Sequence, residues 1–279
     1  MNSEKSNDFF ANMNESGFFF TSLGSGSSGN AYFVESPDEA LLIDQGFSRK
    51  ELLNRMNKCN CRPEKLCGAL LTHEHTDHAA GARVFCDTFN LPLYTTPETA
   101  ARLARTKNLP KLVRTFEPGA KFTAGSFEIT SFALSHDVDT VGFKVGWQNL
   151  HLGIATDSGC ISESVKRHLR NCHALVIESN YDREMLMNSD RRLELKRRIL
   201  GIRGHLDNLE TAALLDELLG NESNLLLLAH VSRECNDYDK LAGICAGKLR
   251  QMKREDCRFA VLRQDEPAGK FLIKTPEMD

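Results

Sequence analysis

No stretch of the 279-residue sequence holds the roughly 20 consecutive apolar residues that a membrane-spanning helix needs, so no membrane partner is expected. The opening segment MNSEKSNDFFANMNESG has neither the basic start nor the apolar run of a secretory signal, which makes the cytoplasm the expected compartment. A large excess of one charge is also lacking. The formal net charge is −3, and any contact with nucleic acid has to come from a local basic patch. There is no internal repeat and no low-complexity tract. A P-loop, a dinucleotide-binding glycine fingerprint and a Ser or Thr nucleophile beside a matching base are missing too, which argues against the chemistries that depend on them.

What is present describes an ordinary globular protein, with 41% hydrophobic and 26% charged residues. The nine cysteines are odd in number, and a chain this long needs no disulfide staples, so reduced and partly buried thiols are expected. Cys59, Cys61 and Cys67 cluster beside a proline, but their spacing fits no common zinc module.

Residues 1–17 are polar and aperiodic and read as a loose tail, with 18–279 as a single domain. A strand from Phe18 leads into the Gly/Ser turn LGSGSSGN. Short strands follow at Ala31–Glu35 and Ala40–Asp44, then a helix at Ser48–Asn57 with Ser48 as cap. An apolar strand, Cys67–Leu71, ends in THEHTDH, and a helix is expected from His78 to Phe89. Thr96 and Pro97 open a helix reaching Arg105. Strands are expected at Phe127–Leu134, Val141–Trp147, Leu150–Thr156, Ala174–Glu178 and Asn224–Ala229. Helices are expected at Ser162–Arg170, Arg191–Leu200, Leu206–Leu219 and Asp239–Met252, and two strands close the chain. Strands followed by mixed strands and helices, twice over, suit an α/β (α+β) class with two sheets face to face and helices outside.

The segment Thr72-His73-Glu74-His75-Thr76-Asp77-His78 carries the chemistry. On near-extended backbone, residues two apart project to the same side, so His73 and His75 can share one ion. Asp77 and His78 open the next helix and can point back at a second. Imidazole with carboxylate suits zinc, manganese or iron. Asp44, His136, Asp157 and His230 each close a predicted strand or start a loop, so all can meet at one rim. Taken singly, each of these four also fits a structural role.

The H-x-H-x-D-H pattern, followed in order by those four residues, resembles the metallo-β-lactamase superfamily, which implies a four-layer αββα sandwich holding two divalent metal ions. By that resemblance His73, His75 and His136 take one ion; Asp77, His78 and His230 take the other; Asp157 is shared, and Asp44 supports them from behind. The segments LGSGSSGN, IESN (177–180), GHLDN (204–208) and AHVS (229–232) are similar to the YycJ/WalJ family, across about residues 20–245. That branch is akin to ribonuclease Z, ribonuclease J and the PhnP phosphodiesterases.

The resemblance makes His205 a group at the scissile phosphate and Glu178 the acid that orients it, so that Asp77, His205 and Glu178 are the implied catalytic set. Ser27, Ser28 and Asn30 are expected to line the pocket, since a Gly/Ser turn can present N–H groups to a phosphate. Arg191, Arg192, Lys196, Arg197, Arg198 and Arg203 form a basic run before His205. Lys196 and Arg197 are its expected phosphate contacts, although a solvated amphipathic helix gives the same pattern. The stretch between Asn180 and Asn208 is too short for a β-CASP-like cap.

The expected activity is metal-dependent phosphodiester hydrolysis, as a 5′-to-3′ exonuclease on DNA. The rivals are a hydrolase of small phosphodiesters, esters or thioesters on the same fold, and a metal-binding regulatory protein without catalysis. Nucleic acid is the expected partner, and a homodimer is compatible with the sequence.

Overall fold

The computed structural model describes residues 17–276; the rest of the segment read as a tail, residues 1–16, lies outside the described residues. Two seven-stranded sheets form the centre. The first contains β1 (Phe18–Gly24), β2 (Ala31–Glu35), β3 (Ala40–Ile43), β4 (Leu66–Leu70), β5 (Leu93–Thr95) and β6 (Val113–Thr115), in that order. The second contains β7 (Lys121–Ala124), β8 (Phe127–Leu134), β9 (Thr140–Trp147), β10 (Leu150–Ala155), β11 (Ala174–Glu178), β12 (Leu225–Ala229) and β13 (Arg258–Val261). The last strand, β14 (Lys270–Ile273), returns to pair antiparallel with β1.

Three apolar layers account for this arrangement. Phe18, Phe20, Tyr32, Leu41 and Ile43 of the first sheet meet Phe127, Phe143, Val145, Ile154, Val176 and Leu227 of the second. On the outer side of the first sheet lie α1 (Arg49–Lys58), α2 (Thr76–Ala79), α3 (Ala82–Phe89) and α4 (Pro97–Arg105), packed through Leu52, Met56, Ala79, Phe85 and Leu103. Outside the second lie α5 (Glu163–Leu169), α8 (Asn208–Leu218) and α9 (Tyr238–Gln251), packed through Val165, Leu215 and Leu249. The result is the four-layer αββα sandwich. Strands β11 and β12 are parallel and covered on both faces, which is why ALVI (174–177) and LLLLA read as unbroken apolar runs. Each fully buried Leu or Phe of these layers contributes about 1.5–3 kcal/mol.

Cap chemistry sets the helix starts as the sequence implies. The Ser48 and Thr96 side chains accept from the third residue of α1 and α4, and Asp207 with Glu210 forms a capping box on α8. The helix expected over 78–89 is instead two, because Gly81 donates its N–H to Gln45 O (2.7 Å). A Cβ at Gly81 would collide with Phe47 O, so the break is imposed by tertiary contact. Cys172 sits buried in the turn before β11. Two short helices, α6 (Arg183–Asn188) and α7 (Leu193–Leu200), fill the stretch between β11 and α8 around Tyr181, Leu186 and Ile199.

Gly46 is the tightest junction beside the HEHTDH turn. Its N–H donates to Asn30 O (3.0 Å), and a Cβ there would strike Asp77 O and crowd Asn30 N. Both obstacles are backbone and cannot swing aside. Gly46→Ala is therefore expected to destabilise the fold by about 1–3 kcal/mol and to displace the Asp77 turn. Urea unfolding checks this: an unchanged midpoint would mean that the turn relaxes freely.

Candidate metal centre

Most of the expected ligands and acids sit where a strand ends, at one rim of the sandwich. Asp44 follows β3, and His73 and His75 follow β4. His136 follows β8, Asp157 follows β10, Glu178 ends β11, and His230 follows β12. Asp77 and His78 open α2. Asp44, Asp157 and His230 adopt left-handed backbone, with φ of 60°, 61° and 53°. That turn swings each side chain off the sheet plane, and Asp and His tolerate it better than most residues.

The imidazoles are held by one nitrogen and aimed with the other. His78 Nδ1 donates to Asp44 Oδ2 (2.7 Å), His73 Nδ1 to Thr72 Oγ1 (3.0 Å), His136 Nδ1 to Gly204 O (3.2 Å) and His230 Nδ1 to Glu178 Oε1 (3.0 Å). Asp44 also accepts from Thr72 N (2.9 Å) and Thr72 Oγ1 (3.0 Å), so one buried carboxylate fixes this corner. Tethering Nδ1 leaves Nε2 of His73, His136 and His230 as the free donor atom, the arrangement that metal-binding histidines use; His78 Nε2 also meets Asn30 Nδ2 at 3.0 Å. His73 Nε2, His136 Nε2, His230 Nε2 and Asp157 Oδ2 are buried without a hydrogen-bond partner among the described residues. Burying four such atoms unsatisfied would be costly, and divalent cations at their focus would satisfy them.

The ligand atoms fall into compact groups, each within 4.8 Å: His73, His75 and His136; His73, His78 and Asp157; and Asp77, His78 and His230. Asp157 lies between them, with Oδ2 at 3.1 Å from His78 Nε2 and Oδ1 at 3.5 Å from His230 Nδ1. A further group unites Asp157, Glu178, His205 and His230. Its Glu178 contacts have hydrogen-bond lengths, 2.6 Å to His205 Nδ1 and 3.0 Å to His230 Nδ1, so these atoms satisfy one another. The donor set thus fits two cations and includes no cysteine among the described residues. Cys59, Cys61 and Cys67 are free thiols; burial pushes Cys61 up to about 12 and Cys67 up to about 11.

Electrostatics show the same demand for positive charge. Burial opposes ionisation of Asp157, but the His230 and His78 imidazoliums hold its carboxyl well below the usual range. Burial likewise opposes charge on His78, where the Asp157 and Asp44 carboxylates win and raise it well above its ordinary value. Against the same burial, Asp157, with Asp77 and Glu178, pushes His230 up to about 10. Burial, helped by the His78 cation, holds His73 well below its ordinary value. Divalent cations can carry the compensating charge that protons carry otherwise, leaving the imidazoles neutral.

His205 stands at the edge of this cluster, its side chain 19% exposed, on the loop between α7 and α8. Glu178, fully buried, accepts from His205 Nδ1 through Oε1 and from Ser158 N (2.9 Å) through Oε2. The ring centroid of His205 is 5.3 Å from that of His230 and 5.4 Å from that of His136.

The expected substrate residues divide. Ser27 and Ser28 are exposed on the β1–β2 turn, and Arg197 is exposed on α7. Asn30 is not on an open surface: it is fully buried, bonding Gly26 O (3.0 Å) and reaching His78 Nε2 (3.0 Å) beneath the cluster. Lys196 is turned away as well, because Nζ donates to Met187 O (2.7 Å) and Ser189 O (2.6 Å) at the end of α6. Sequence reasoning gave no role to Asp137, which ion-pairs with Arg198 and faces His136 Nε2 at 3.2 Å. Nor did it single out Ser25, whose Oγ accepts from His230 N (2.8 Å), or Asn180, whose Nδ2 donates to His230 O (2.7 Å). Both lie inside quoted motifs, but only the folded chain shows what they touch.

An αββα sandwich whose strand ends gather histidines and acids in this way is the metallo-β-lactamase architecture. The chain belongs to that superfamily: the beta-lactamase superfamily domain profile matches residues 39–230. Within it the kinship is with the WalJ and YycJ proteins. The chain is 34% identical over 229 residues to exodeoxyribonuclease WalJ of Streptococcus pneumoniae serotype 2 (strain D39), covering 80% of this chain and 85% of that protein. It is 31% identical over 242 residues to exodeoxyribonuclease YycJ of Bacillus anthracis, covering 85% and 90%. The crystal structure of the metallo-beta-lactamase fold protein YhfI from Bacillus subtilis superposes with a TM-score of 0.68 at 20% identity, covering 91% of this chain and 99% of that one, a likeness of fold. Among the described residues no helix is long and apolar enough to cross a membrane.

Proposed function

We propose that the protein is a metal-dependent phosphodiesterase acting as a nuclease, a 5′-to-3′ exonuclease on DNA. The observation that carries this reading is the His205–Glu178 pair, hydrogen-bonded at 2.6 Å on the rim of a cluster fitted for two cations. The relatives named exodeoxyribonucleases support the choice of DNA. In this reading His73, His75 and His136 hold one ion, Asp77, His78 and His230 the other, and Asp157 both, with zinc or manganese the suitable metals and iron a third. Residues 18–279 are taken as one domain.

Divalent ions held there supply Lewis acidity, making a water nucleophilic near neutral pH and drawing charge from the phosphate oxygens. The chain's residues do the rest. Asp44, Thr72, Gly204 and Glu178 fix the ligating rings so that no reorganisation is needed as charge develops. Glu178 Oε1 accepts from His205 Nδ1 and fixes the ring. With the ring doubly protonated, His205 Nε2 can give its proton to the departing nucleoside oxygen as the P–O bond breaks, which leaves the neutral ring with Nδ1–H still held by Glu178.

The test is incubation with end-labelled single- and double-stranded DNA and RNA in zinc and in manganese. Progressive shortening of DNA from its 5′ end is the expected result. Hydrolysis of small esters with no cut in any nucleic acid would replace this reading with the ester-hydrolase one. Two bound ions with no hydrolysis at all would favour a regulatory metal protein.

A further inference from the structure

The outer face of the second sheet is not fully covered. Beyond α5, strands β7 to β10 leave a groove of about 490 Å³ lined by Lys121, Thr130, Lys144, Arg167, His151 and His168, among others. Sheet register puts its cations in one row: Lys121 lies opposite Thr130, and Thr130 opposite Lys144. Directly opposed residues share a face, so the two lysines stand two strands apart, about 10 Å. Arg167 reaches in from α5. None of the three forms an ion pair among the described residues, although Glu128 also lines the groove. After burial itself, Lys144, Arg167 and Lys121 are the charges that push His168 below its ordinary value, so their fields converge on one ring. That ring stacks on Phe132 at 5.2 Å with planes 9° apart. Three cations beside a single carboxylate, Glu128, leave a net positive charge in the groove, unfavourable in the free fold and favourable once an anion is present.

The groove lies in line with the metal cluster. A second cavity, of about 520 Å³, is lined by His136, Arg203, Leu134 and Val165, and both cavities border β8 and α5. Along β8, Glu128 and Leu134 are six residues apart, a run of about 20 Å. A chain of phosphates leaving the cluster past His136 and Arg203 would meet Lys144, Lys121 and Arg167 several nucleotides on.

We propose that this groove is a second phosphate-binding site, which holds the backbone of a single nucleic-acid strand at a distance from the bond being cut. The proposal rests on the nuclease reading given above. It makes strand length matter: short substrates engage only the cluster, while longer ones also gain the groove.

The test measures binding of fluorescein-labelled single strands of about 5 and about 20 nucleotides as a function of salt. The proteins are a His205→Ala form that leaves the strand uncut and the same form carrying Lys121→Gln, Lys144→Gln and Arg167→Gln. Three lost phosphate contacts should lower the slope of log K against log salt by about 2 for the 20-mer and leave the 5-mer unchanged. Arg167→Gln alone, at an exposed position that endangers no packing, should lower it by about 0.7. In an otherwise unaltered chain the triple substitution should leave hydrolysis of bis-p-nitrophenyl phosphate as it was. Unchanged slopes for the 20-mer overturn the groove, as does a 20-mer that binds no more tightly than the 5-mer. The nuclease reading fails separately: if the parent chain binds the 20-mer with the groove-dependent slope but cuts no strand, the groove stands and the nuclease does not.

Discussion

Replacing His205 by alanine is expected to lower phosphodiester cleavage by about 100- to 10,000-fold, the range for loss of a positioned proton donor, with metal content unchanged. The separation is possible because His205 meets the cluster through Glu178. Its Nδ1 contacts Oε1 at 2.6 Å, while the same oxygen keeps His230 Nδ1 at 3.0 Å. Removing the ring leaves Glu178 still tethered to His230 and to Ser158 N (2.9 Å), so the ligand geometry has reason to persist. Rates with bis-p-nitrophenyl phosphate, whose leaving group is acidic and needs little help from a proton, should fall less than rates with a dinucleotide. Elemental analysis beside both assays decides the matter. Unchanged cleavage of both substrates would remove His205 from the chemistry, and loss of the metals would make it a structural ligand.

Asp157→Ala should show the opposite signature. Asp157 sits between the ligand groups, 3.1 Å from His78 Nε2 and 3.5 Å from His230 Nδ1, and is buried. Asp157 would supply negative charge to cations held by either ligand group, and alanine removes it. The purified variant is expected to hold fewer than two ions, with activity at least about 1,000-fold down, matching several kcal/mol of lost charge stabilisation. Added metal should restore part of the occupancy and little of the rate. A variant that binds two ions with unaltered affinity would show that Asp157 bridges nothing.

Much of the centre was legible because its signals are local. Three histidines and an acid within six residues have few structural explanations, and His136, Asp157 and His230, each open to a structural role by itself, gain their meaning from following that segment in order, each after a predicted strand. What stayed hidden depends on contacts between distant segments. Gly81 breaks a helical pattern because Phe47 O lies against it. Lys196 looked like a phosphate ligand on a helix face, but two carbonyls at the end of α6 claim its ammonium group, and α6 itself was not foreseen in a polar stretch. The edge strands β6 and β7 are short and largely solvent-facing, so VRT and KFTA carry little periodic signal. Asn30 reads as a loop amide, yet it is buried because the β1–β2 turn folds under the HEHTDH segment.

The left-handed turns at Asp44, Asp157 and His230 bear on how such a protein could drift over evolutionary time. Each is a place where glycine would sit with less torsional discomfort, by about 1 kcal/mol. A lineage released from its chemistry could exchange these residues and become more durable while turning inert. Keeping two acids and an imidazole at these corners is a standing concession of robustness to reactivity, met by the three apolar layers beneath them.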